Sequence, residues 1–567
     1  MISLDNCERQ GEELVNHEAI SRIPGLLAGH ALSRGPEAAI VSAHGTLSYE
    51  ELHRQARQFA AGLRRIGVSP GTTVGLMCTN RPEWIVAALG TILAGGRVAA
   101  FNTWAKRWDL EHLLAESGCE VLIALSGFKT GRTDPLLQEL VPEAWEARQR
   151  GWKSAAFHRL REIVLINGSE PAPGLLSFPD LLIPEADNAQ SLDQEPQNGD
   201  DPILVLYTSG STARPKAVPI HHSTALVHGQ AIAERMAVTA DDRIWVPVPL
   251  FWSYGGANAL MVGLTAGATL VLQEVFEPVE ALAIIEKEQC TVAYTLPNIT
   301  AALVQHEEFS LERVRSLTKG MTIGSSKDVE TAAVGLGITG ICNAYGSTEL
   351  YGGCTVTPWD WDLEKKMASQ GPPLRGNTVV IRDHFSSEDM PVGEVGEITV
   401  RGYVTSGYLG APEQNQAAFT DDGAFRTGDL GFFDEEGFLH LVGRASEMIR
   451  TGGINIAPVE VEEFLRTHPA VGEVAVVGVP DDLKGEVAVA FVTLAPDADM
   501  IDEAALKAYC RSRIASFKIP ARMAISREGL PRTDTGKLAR KTVKSLAKEY
   551  MASAAQRTGG IGSKSIT

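Results

Sequence analysis

Tyr207-Thr208-Ser209-Gly210-Ser211-Thr212-Ala213-Arg214-Pro215-Lys216 is the stretch on which the organisation of this chain turns. Residues 202–207 form a short continuous apolar run of strand length that leads into it, and residues 222–237 carry a helical pattern soon after it. The loop offers backbone N–H groups, several hydroxyls, an arginine and a lysine within ten residues. Phosphate oxygens need that kind of surround: many donors, little steric bulk and some positive charge. It is not a nucleotide loop of the G-x-x-x-x-G-K-[ST] type, because Pro215 precedes Lys216 and Ala217 follows it, so neither the glycine nor the metal-binding hydroxyl is in place.

Outward from this loop the chain alternates strand-like and helical segments. Strands are expected at 73–78, 120–125, 162–166, 243–248, 269–273, 291–295 and 320–323, with helices at 82–94 and 279–288 between some of them. Strands alternating with helices predict an α/β fold whose layers are largely parallel sheets. Past residue 375 the texture changes to short β-runs punctuated by Gly and Asp, at 379–383, 397–401 and 438–442, which predicts a β-subdomain. A compact α+β pattern follows: helices at 459–467 and 503–514, strands at 474–479 and 487–494. The expected division is a large N-terminal domain over 1–443, a small C-terminal α+β domain over 444–550 and an unstructured tail over 551–567. The G-x-G-x-x-G match at 335–340 is a decoy. A dinucleotide loop needs a strand before it and a helix after it, and here a helical pattern precedes and an apolar run follows.

Composition narrows the function. The 567 residues are 44% hydrophobic and 21% charged, enough for large buried cores, and the net charge of −19 excludes a protein whose main business is holding nucleic-acid phosphates. Seven scattered cysteines without a C-x-x-C pair argue against a disulfide scaffold or a structural zinc site. The first twenty residues contain no apolar signal core, and the longest uncharged apolar stretches, 84–96 and 257–273, fall short of the ~20 residues that span a bilayer. No membrane span and a cytoplasmic location are expected, and the oligomeric state is left open, a homodimer included.

Three further motifs offer chemistry. Asn343-Ala344-Tyr345-Gly346-Ser347-Thr348-Glu349 follows a β-run, where open α/β sheets place ligands, and a carboxylate beside a hydroxyl suits Mg²⁺ held against phosphate oxygens. Thr427-Gly428-Asp429 is followed fourteen and fifteen residues after the Asp by Gly443-Arg444; an Asp can accept from both hydroxyls of a ribose and an Arg can bridge ribose and phosphate. Pro531-Arg532-Thr533-Asp534-Thr535-Gly536-Lys537 presents a lysine on a polar turn near the end of the chain.

In order and spacing, these motifs resemble those of the adenylate-forming superfamily of acyl- and aryl-CoA synthetases, peptide-synthetase adenylation domains and luciferases. The likeness runs from about residue 25 to about residue 545 and includes Gly393–Gly402 and Gly443–Glu462. The resemblance implies a mobile C-terminal domain and two half-reactions. A carboxylate first attacks the α-phosphorus of MgATP to give an acyl-adenylate, and a thiol, usually that of coenzyme A, then displaces AMP. It implies that Thr208, Ser209, Gly210, Ser211, Thr212 and Lys216 surround the β- and γ-phosphates, that Thr348 and Glu349 meet the α-phosphate, and that Thr208 and Glu349 serve Mg²⁺. Tyr345, Gly346 and Ser325 would lie at the adenine, Asp429 and Arg444 at the ribose, and Lys537 at the reacting carboxylate oxygen. Ser446, two residues after Arg444, would be the hinge.

The chain departs from the family pattern at Ala213 and Ala217, which replace usual glycines, at Ser446, where Asp or Lys is common, and at Gly324-Ser325-Ser326. In Pro249-Leu250-Phe251-Trp252-Ser253-Tyr254-Gly255, Trp252 replaces a frequent His, and no charged residue occurs from 247 to 273. Peptide-synthetase domains usually carry an Asp here for the substrate's ammonium, and an unpaired ammonium in an uncharged pocket is strongly disfavoured. Trp252, Ser253, Tyr254 and Gly255 are thus expected to line a pocket for an apolar fatty, alicyclic or aromatic acid. The expected activity is that of an AMP-forming acyl-CoA ligase using ATP, Mg²⁺ and coenzyme A. The alternatives are an acyl-AMP ligase that loads a separate carrier protein and a non-catalytic nucleotide-binding protein.

Overall fold

The computed structural model describes residues 22–559 apart from 129–130, 168–170, 185–200, 209–214, 385, 452–453, 482–483, 497, 512 and 534–536. The chain forms two compact units: 1–378 with 400–425, and 379–399 with 426–567.

The first unit is built on two large sheets. A seven-stranded sheet runs in the order Lys216–His221, Pro202–Thr208, Arg97–Ala100, Thr73–Met77, Val121–Leu125, Glu162–Ile166, Leu176–Ser177. All its neighbours pair in parallel except the first pair, an antiparallel hairpin. An eight-stranded sheet runs Thr355–Val356, Gly340–Tyr345, Lys319–Thr322, Val292–Tyr294, Arg243–Val246, Thr269–Leu272, Ala38–Ser42, Gly45–Ser48, parallel through its centre and antiparallel at both ends. The parallel strands Thr73–Met77 and Val121–Leu125 are buried along their whole length, which is why they read as continuous apolar runs without alternation. Helix Pro82–Leu93 begins on a proline, whose missing N–H costs nothing in a first turn, and every residue but Glu83 is buried. Helix Tyr49–Arg65 instead starts on a capping box, Ser48 and Glu51 each accepting from the other's backbone N–H. One hydrophobic core joins side chains of both sheets, from Val74 and Leu76 to Trp245 and Ile341.

Strand Lys216–His221 is absent from the sequence-based expectation, as are helix Tyr49–Arg65 and the inner strand Arg97–Ala100. Strand Lys216–His221 contains Pro219, a residue that argues against a strand interior, and it survives because it is the edge strand of its sheet. The strands on either side of residues 209–214 therefore pair with each other before the helix begins. Helix His222–Met236 follows directly. The decoy at 335–340 leads from a helical segment, Ser326–Gly335, into strand Gly340–Tyr345.

The second unit contains most of a four-stranded sheet, in the order Thr378–Arg382, Gly396–Arg401, Phe425–Phe433, Leu439–Arg444; of its strand residues Thr378, Val400, Arg401 and Phe425 belong to the first unit. It also holds an α+β body in which Gly485–Leu494 pairs antiparallel with Val471–Asp481 and parallel with Arg522–Ser526. The sequence-based boundary at 443 falls inside this unit. The final helix, Arg540–Gly559, carries regular structure past residue 551, where an unstructured tail was expected; Ala552, Ala554 and Ala555 are strong helix formers, and residues 560–567 lie outside the described ones. Among the described residues no helix is long and apolar enough to cross a membrane.

A buried ion pair anchors the central strand that leads toward Trp252. Asp242 accepts from Thr239 N at 2.7 Å, Thr291 Oγ1 at 2.7 Å and Lys319 Nζ at 2.8 Å. Burial alone would raise its carboxyl pKa, but the hydrogen bonds and the Lys319 charge outweigh it and hold the pKa below the ordinary value. A depressed folded-state pKa stabilises the fold above the unfolded pKa and loses that contribution as pH falls through the folded value. Asp242→Asn should destabilise the protein at neutral pH by about 3 kcal/mol, because Lys319 keeps its charge without a partner. In thermal unfolding the gap between wild type and variant should narrow as pH drops below the ordinary carboxylate range; a gap that is constant with pH would contradict the assignment.

Candidate active site

In the first unit the hairpin sets Thr208 directly opposite Lys216. The Lys216 ammonium lies over the ring of Tyr408, 4.3 Å from its centroid, and the Tyr408 hydroxyl donates to Glu349 Oε1 at 2.8 Å. Thr208, Lys216, Tyr408 and Glu349 are thus linked side by side, although they come from widely separated parts of the sequence. Tyr408 is 6% exposed, and sequence analysis missed it; the only cue, a tyrosine after Thr405-Ser406-Gly407, carries no chemistry by itself. Ser209, Gly210, Ser211 and Thr212 lie outside the described residues.

Glu349 is presented by a tight reversal after strand Gly340–Tyr345. Gly346 passes so close to Gly353 that a Cβ on it would stand 2.5 Å from the Gly353 Cα. The reversal is closed by Cys354 N donating to Tyr345 O at 2.8 Å and Gly352 N donating to Ser347 O at 2.9 Å. Tyr351 turns the chain with a φ of 56°. Thr348 and Glu349 sit in a short 3₁₀ turn, where Thr348 Oγ1 donates to Ser253 Oγ at 3.2 Å. Tyr345 is 6% exposed at the end of its strand.

Two hydroxyls in this region, Thr208 Oγ1 and Ser347 Oγ, are buried with no hydrogen-bond partner among the described residues. Buried polar atoms are normally paired, and an orphan asks for a ligand, an ion or a water. A threonine hydroxyl and a glutamate with one oxygen committed to Tyr408 are donors of the right kind for Mg²⁺, which takes one or two protein oxygens and fills its shell with phosphate and water.

Residues 249–255 are positioned by Asn80, which is buried at 2% exposure. Its amide nitrogen donates to Val248 O at 2.8 Å, and its oxygen accepts from Leu250 N at 2.9 Å. Residues Ser253–Ala259 then form a π-helical turn, a geometry found often at functional sites. Gly255 packs against the preceding turn, where a Cβ would meet Pro249 O at 2.1 Å. Tyr254 is buried and spends its hydroxyl on Met321 O at 2.8 Å and Thr295 O at 3.2 Å. Trp252 is half-buried against the core, with Phe251 and Trp104 around it. Ser325 caps helix Ser326–Glu330 and donates its hydroxyl to Asp328 Oδ2 at 2.7 Å.

In the second unit Asp429 and Arg444 face each other across an antiparallel pair, joined by an ion pair of 2.7 Å. Asp429 is buried and Arg444 exposed. The turn bearing Asp429 is fixed from below: Thr427 Oγ1 donates to Ile398 O at 2.8 Å, and the buried Glu397 accepts from Gly428 N at 3.3 Å. Ser446 is exposed within the 3₁₀ turn Ala445–Glu447. Lys537 closes the turn in which Thr533 N donates to its carbonyl at 2.8 Å. The residue as a whole is exposed, and the protein beside its side chain removes part of the water from the ammonium. That loss of water holds its pKa below the ordinary lysine value, and the like charge of Arg444 pushes the same way. Three residues on, Arg540 binds Glu462 through two bonds of 2.8 and 2.9 Å and Glu447 at 3.1 Å, tying the Lys537 segment to the turn of Ser446.

Residues 29–409 match the family model of AMP-binding enzymes, and residues 460–537 match that of their C-terminal domain. The chain belongs to the AMP-binding enzyme family. It is 30% identical over 506 residues to the mitochondrial medium-chain acyl-CoA ligase ACSF2 of Bos taurus, covering 87% of this chain and 82% of that one. It is also 30% identical over 526 residues to a CoA ligase of Rhodococcus jostii named for a methyl-dioxo-octahydroindenyl propanoyl group, covering 91% and 96%. Its fold superposes on the anthranilate CoA ligase AuaEII in complex with anthranoyl-AMP with a TM-score of 0.80 at 26% identity, covering 94% and 98%. The protein is accordingly an enzyme of the AMP-forming acyl-CoA synthetase kind, using ATP and coenzyme A.

Tyr408→Phe keeps the aromatic face under Lys216 and removes the hydrogen bond to Glu349. A hydrogen bond to a charged group contributes about 1.5–3 kcal/mol, so carboxylate-dependent ATP–pyrophosphate exchange should fall by about tenfold or more with little change in thermal stability. Unchanged exchange would mean that Glu349 does not depend on Tyr408.

Proposed function

We propose that this enzyme activates an apolar carboxylic acid, fatty, alicyclic or aromatic, with MgATP and transfers the acyl group to coenzyme A. The observation that carries the acid class is the approach to Thr348: Phe251 and Trp252 stand immediately before Ser253, which accepts from Thr348, in a segment without a charge from 247 to 273. Relatives named for a medium-chain acid, a ring-bearing propanoyl group and anthranilate support the same class.

In the first step a carboxylate oxygen bonds to the α-phosphorus and pyrophosphate leaves; both reactants are anions, so the site must neutralise charge and align them. Thr208, Lys216 and the loop 209–212 take the β- and γ-phosphates. Thr348 takes the α-phosphate. Thr208 and Glu349 hold Mg²⁺, which when bound would draw off negative charge from the phosphates. Tyr345, Gly346 and Ser325 border the adenine; Asp429 accepts from the ribose hydroxyls, with Arg444 beside it. Lys537 places its ammonium between the reacting oxygen and the α-phosphate. In the second step the coenzyme A thiolate bonds to the acyl carbon and AMP leaves, and Lys537 has withdrawn. Ser446 is the pivot for that withdrawal, with 444–550 as the moving domain. A cytoplasmic setting goes with the proposal. A panel of carboxylic acids with ATP and coenzyme A, read by AMP release and thioester mass, tests it. Adenylate without thioester would instead favour transfer to a carrier protein, and activity confined to amino acids would overturn the acid class.

Lys537→Ala should lower acyl-adenylate formation about 10²–10³-fold or more, the usual cost of one lost transition-state charge contact, while sparing thioester formation from supplied acyl-adenylate. Because the Lys537 pKa is depressed, the ammonium is lost as pH rises through a value below that of a free lysine. The alkaline limb of adenylation should lie correspondingly low in the wild type. Equal loss in both half-reactions would remove Lys537 from this role.

Ser446→Pro should separate the half-reactions. Proline fixes φ near −65° and drives the preceding residue, here Ala445 in a 3₁₀ turn, out of the helical region. One half-reaction should fall steeply while the other survives in a folded variant; near wild-type rates in both would place the pivot elsewhere.

A further inference from the structure

Three aromatic rings meet in the first unit at nearly right angles to one another. Trp104 stands at 90° to Phe251 with centroids 5.8 Å apart and at 78° to Trp252 at 5.2 Å, and Phe251 stands at 84° to Trp252 at 6.0 Å. Edge-to-face pairs of this kind hold each ring's orientation. Phe251 is 4% exposed and belongs to the core, Trp252 is half-buried, and Trp104 is 41% exposed. Burial therefore falls, and solvent access rises, stepwise from Phe251 through Trp252 to Trp104.

Trp104 is held in this place by its backbone. Asn102 Oδ1 accepts from Trp104 N at 2.8 Å, and Asn102 O accepts from Ala105 N at 3.1 Å, so the residue rides on a closed turn. The turn is locked on its far side, where Asp109 Oδ2 accepts from Lys106 N at 3.0 Å at the start of helix Arg107–Ser117. A large indole fixed on a rigid turn and left two-fifths in water has apolar surface to offer a ligand. On its inner side Trp252 leads within one residue to Ser253 and so to Thr348.

Resting on the acyl-CoA ligase function proposed above, we infer that Trp104 is a specificity-determining residue that contacts the hydrocarbon body of the acid beyond Trp252 and selects acids with a large apolar body over short ones. With the carboxylate against an α-phosphate held by Thr348, a short acid such as acetate ends before the aromatic corner. A medium-chain, alicyclic or aromatic acid reaches it and covers the exposed indole. The segment that bears Trp104 lies about 150 residues from the acid segment in sequence, which is why spacing alone did not bring the two together.

The test compares acetate, octanoate, cyclohexanecarboxylate and benzoate on wild type, Trp104→Ala and Trp104→Phe, measuring thioester formation with kcat and KM for each acid and for ATP. In Trp104→Ala, kcat/KM for whichever larger acids the wild type uses should fall about tenfold to a hundredfold, mainly through KM for the acid. Acetate turnover and the KM for ATP should stay within about twofold, and Trp104→Phe should retain most of the preference. Equal losses for acetate and the larger acids, or an unchanged acid profile in a variant with wild-type melting behaviour, would overturn the assignment. If the wild type forms no thioester from any acid, the proposed function itself fails and the inference falls with it; if it forms thioesters and only the variant profile is unmoved, the function stands and Trp104 is excluded.

Discussion

Much of the first unit's site depends on the near-contact of two backbones at Gly346 and Gly353. Strand Gly340–Tyr345 must end, reverse and return as the edge strand Thr355–Val356 within ten residues, and no side chain fits at the crossing. Because the reversal is closed by backbone hydrogen bonds, the short turn between carries Ser347, Thr348 and Glu349 in fixed positions at the end of a sheet strand. Open α/β sheets gather ligands at that end. Preorganisation here comes from the main chain, so the polar side chains need not be spent on holding the turn, and Ser347 Oγ is left with no partner among the described residues.

The same division of labour runs through the rest of the unit. Asn80, Tyr254 and Ser325 give their polar atoms to backbone or capping contacts and so fix the walls. The hydroxyls of Thr208 and Ser347 have no partner among the described residues. The hydroxyls of Tyr254 and Ser325 are committed to protein partners, and any part they take with a ligand comes through shape or their remaining lone pairs.

The parallel sheets were legible because strands buried on both faces leave continuous apolar runs, and Thr73–Met77, Val121–Leu125 and Glu162–Ile166 begin and end within a residue of where the pattern places them. The motif residues stood out because several unusual residue types recur in order. What stayed hidden is tertiary in origin. Lys216–His221 carries a proline that only an edge position tolerates. Ser253–Ala259 is a π-helical turn with no periodic signal, and Tyr408, Asn80 and Trp104 acquire their roles through partners far away in the chain. The final helix runs on to Gly559, past the start of the expected tail, because its alanines favour a helix.

The interposed tyrosine also resolves a conflict of charge. A lysine proposed to take phosphate and a glutamate proposed to hold a cation, placed side by side, would pair directly, and each would be neutralised before any ligand arrived. Coulomb attraction at contact is large in a partly buried site, on the order of several kcal/mol. In this chain the ammonium of Lys216 rests on the face of Tyr408 and the carboxylate of Glu349 takes the hydroxyl at the same ring's edge. A cation–π contact is worth only about 0.5–2 kcal/mol and leaves the ammonium its three hydrogens. The hydrogen bond occupies one carboxylate oxygen and leaves the other. Both charges are held in order without being cancelled. That is what a site must do if it is to receive a polyanion and a divalent cation together.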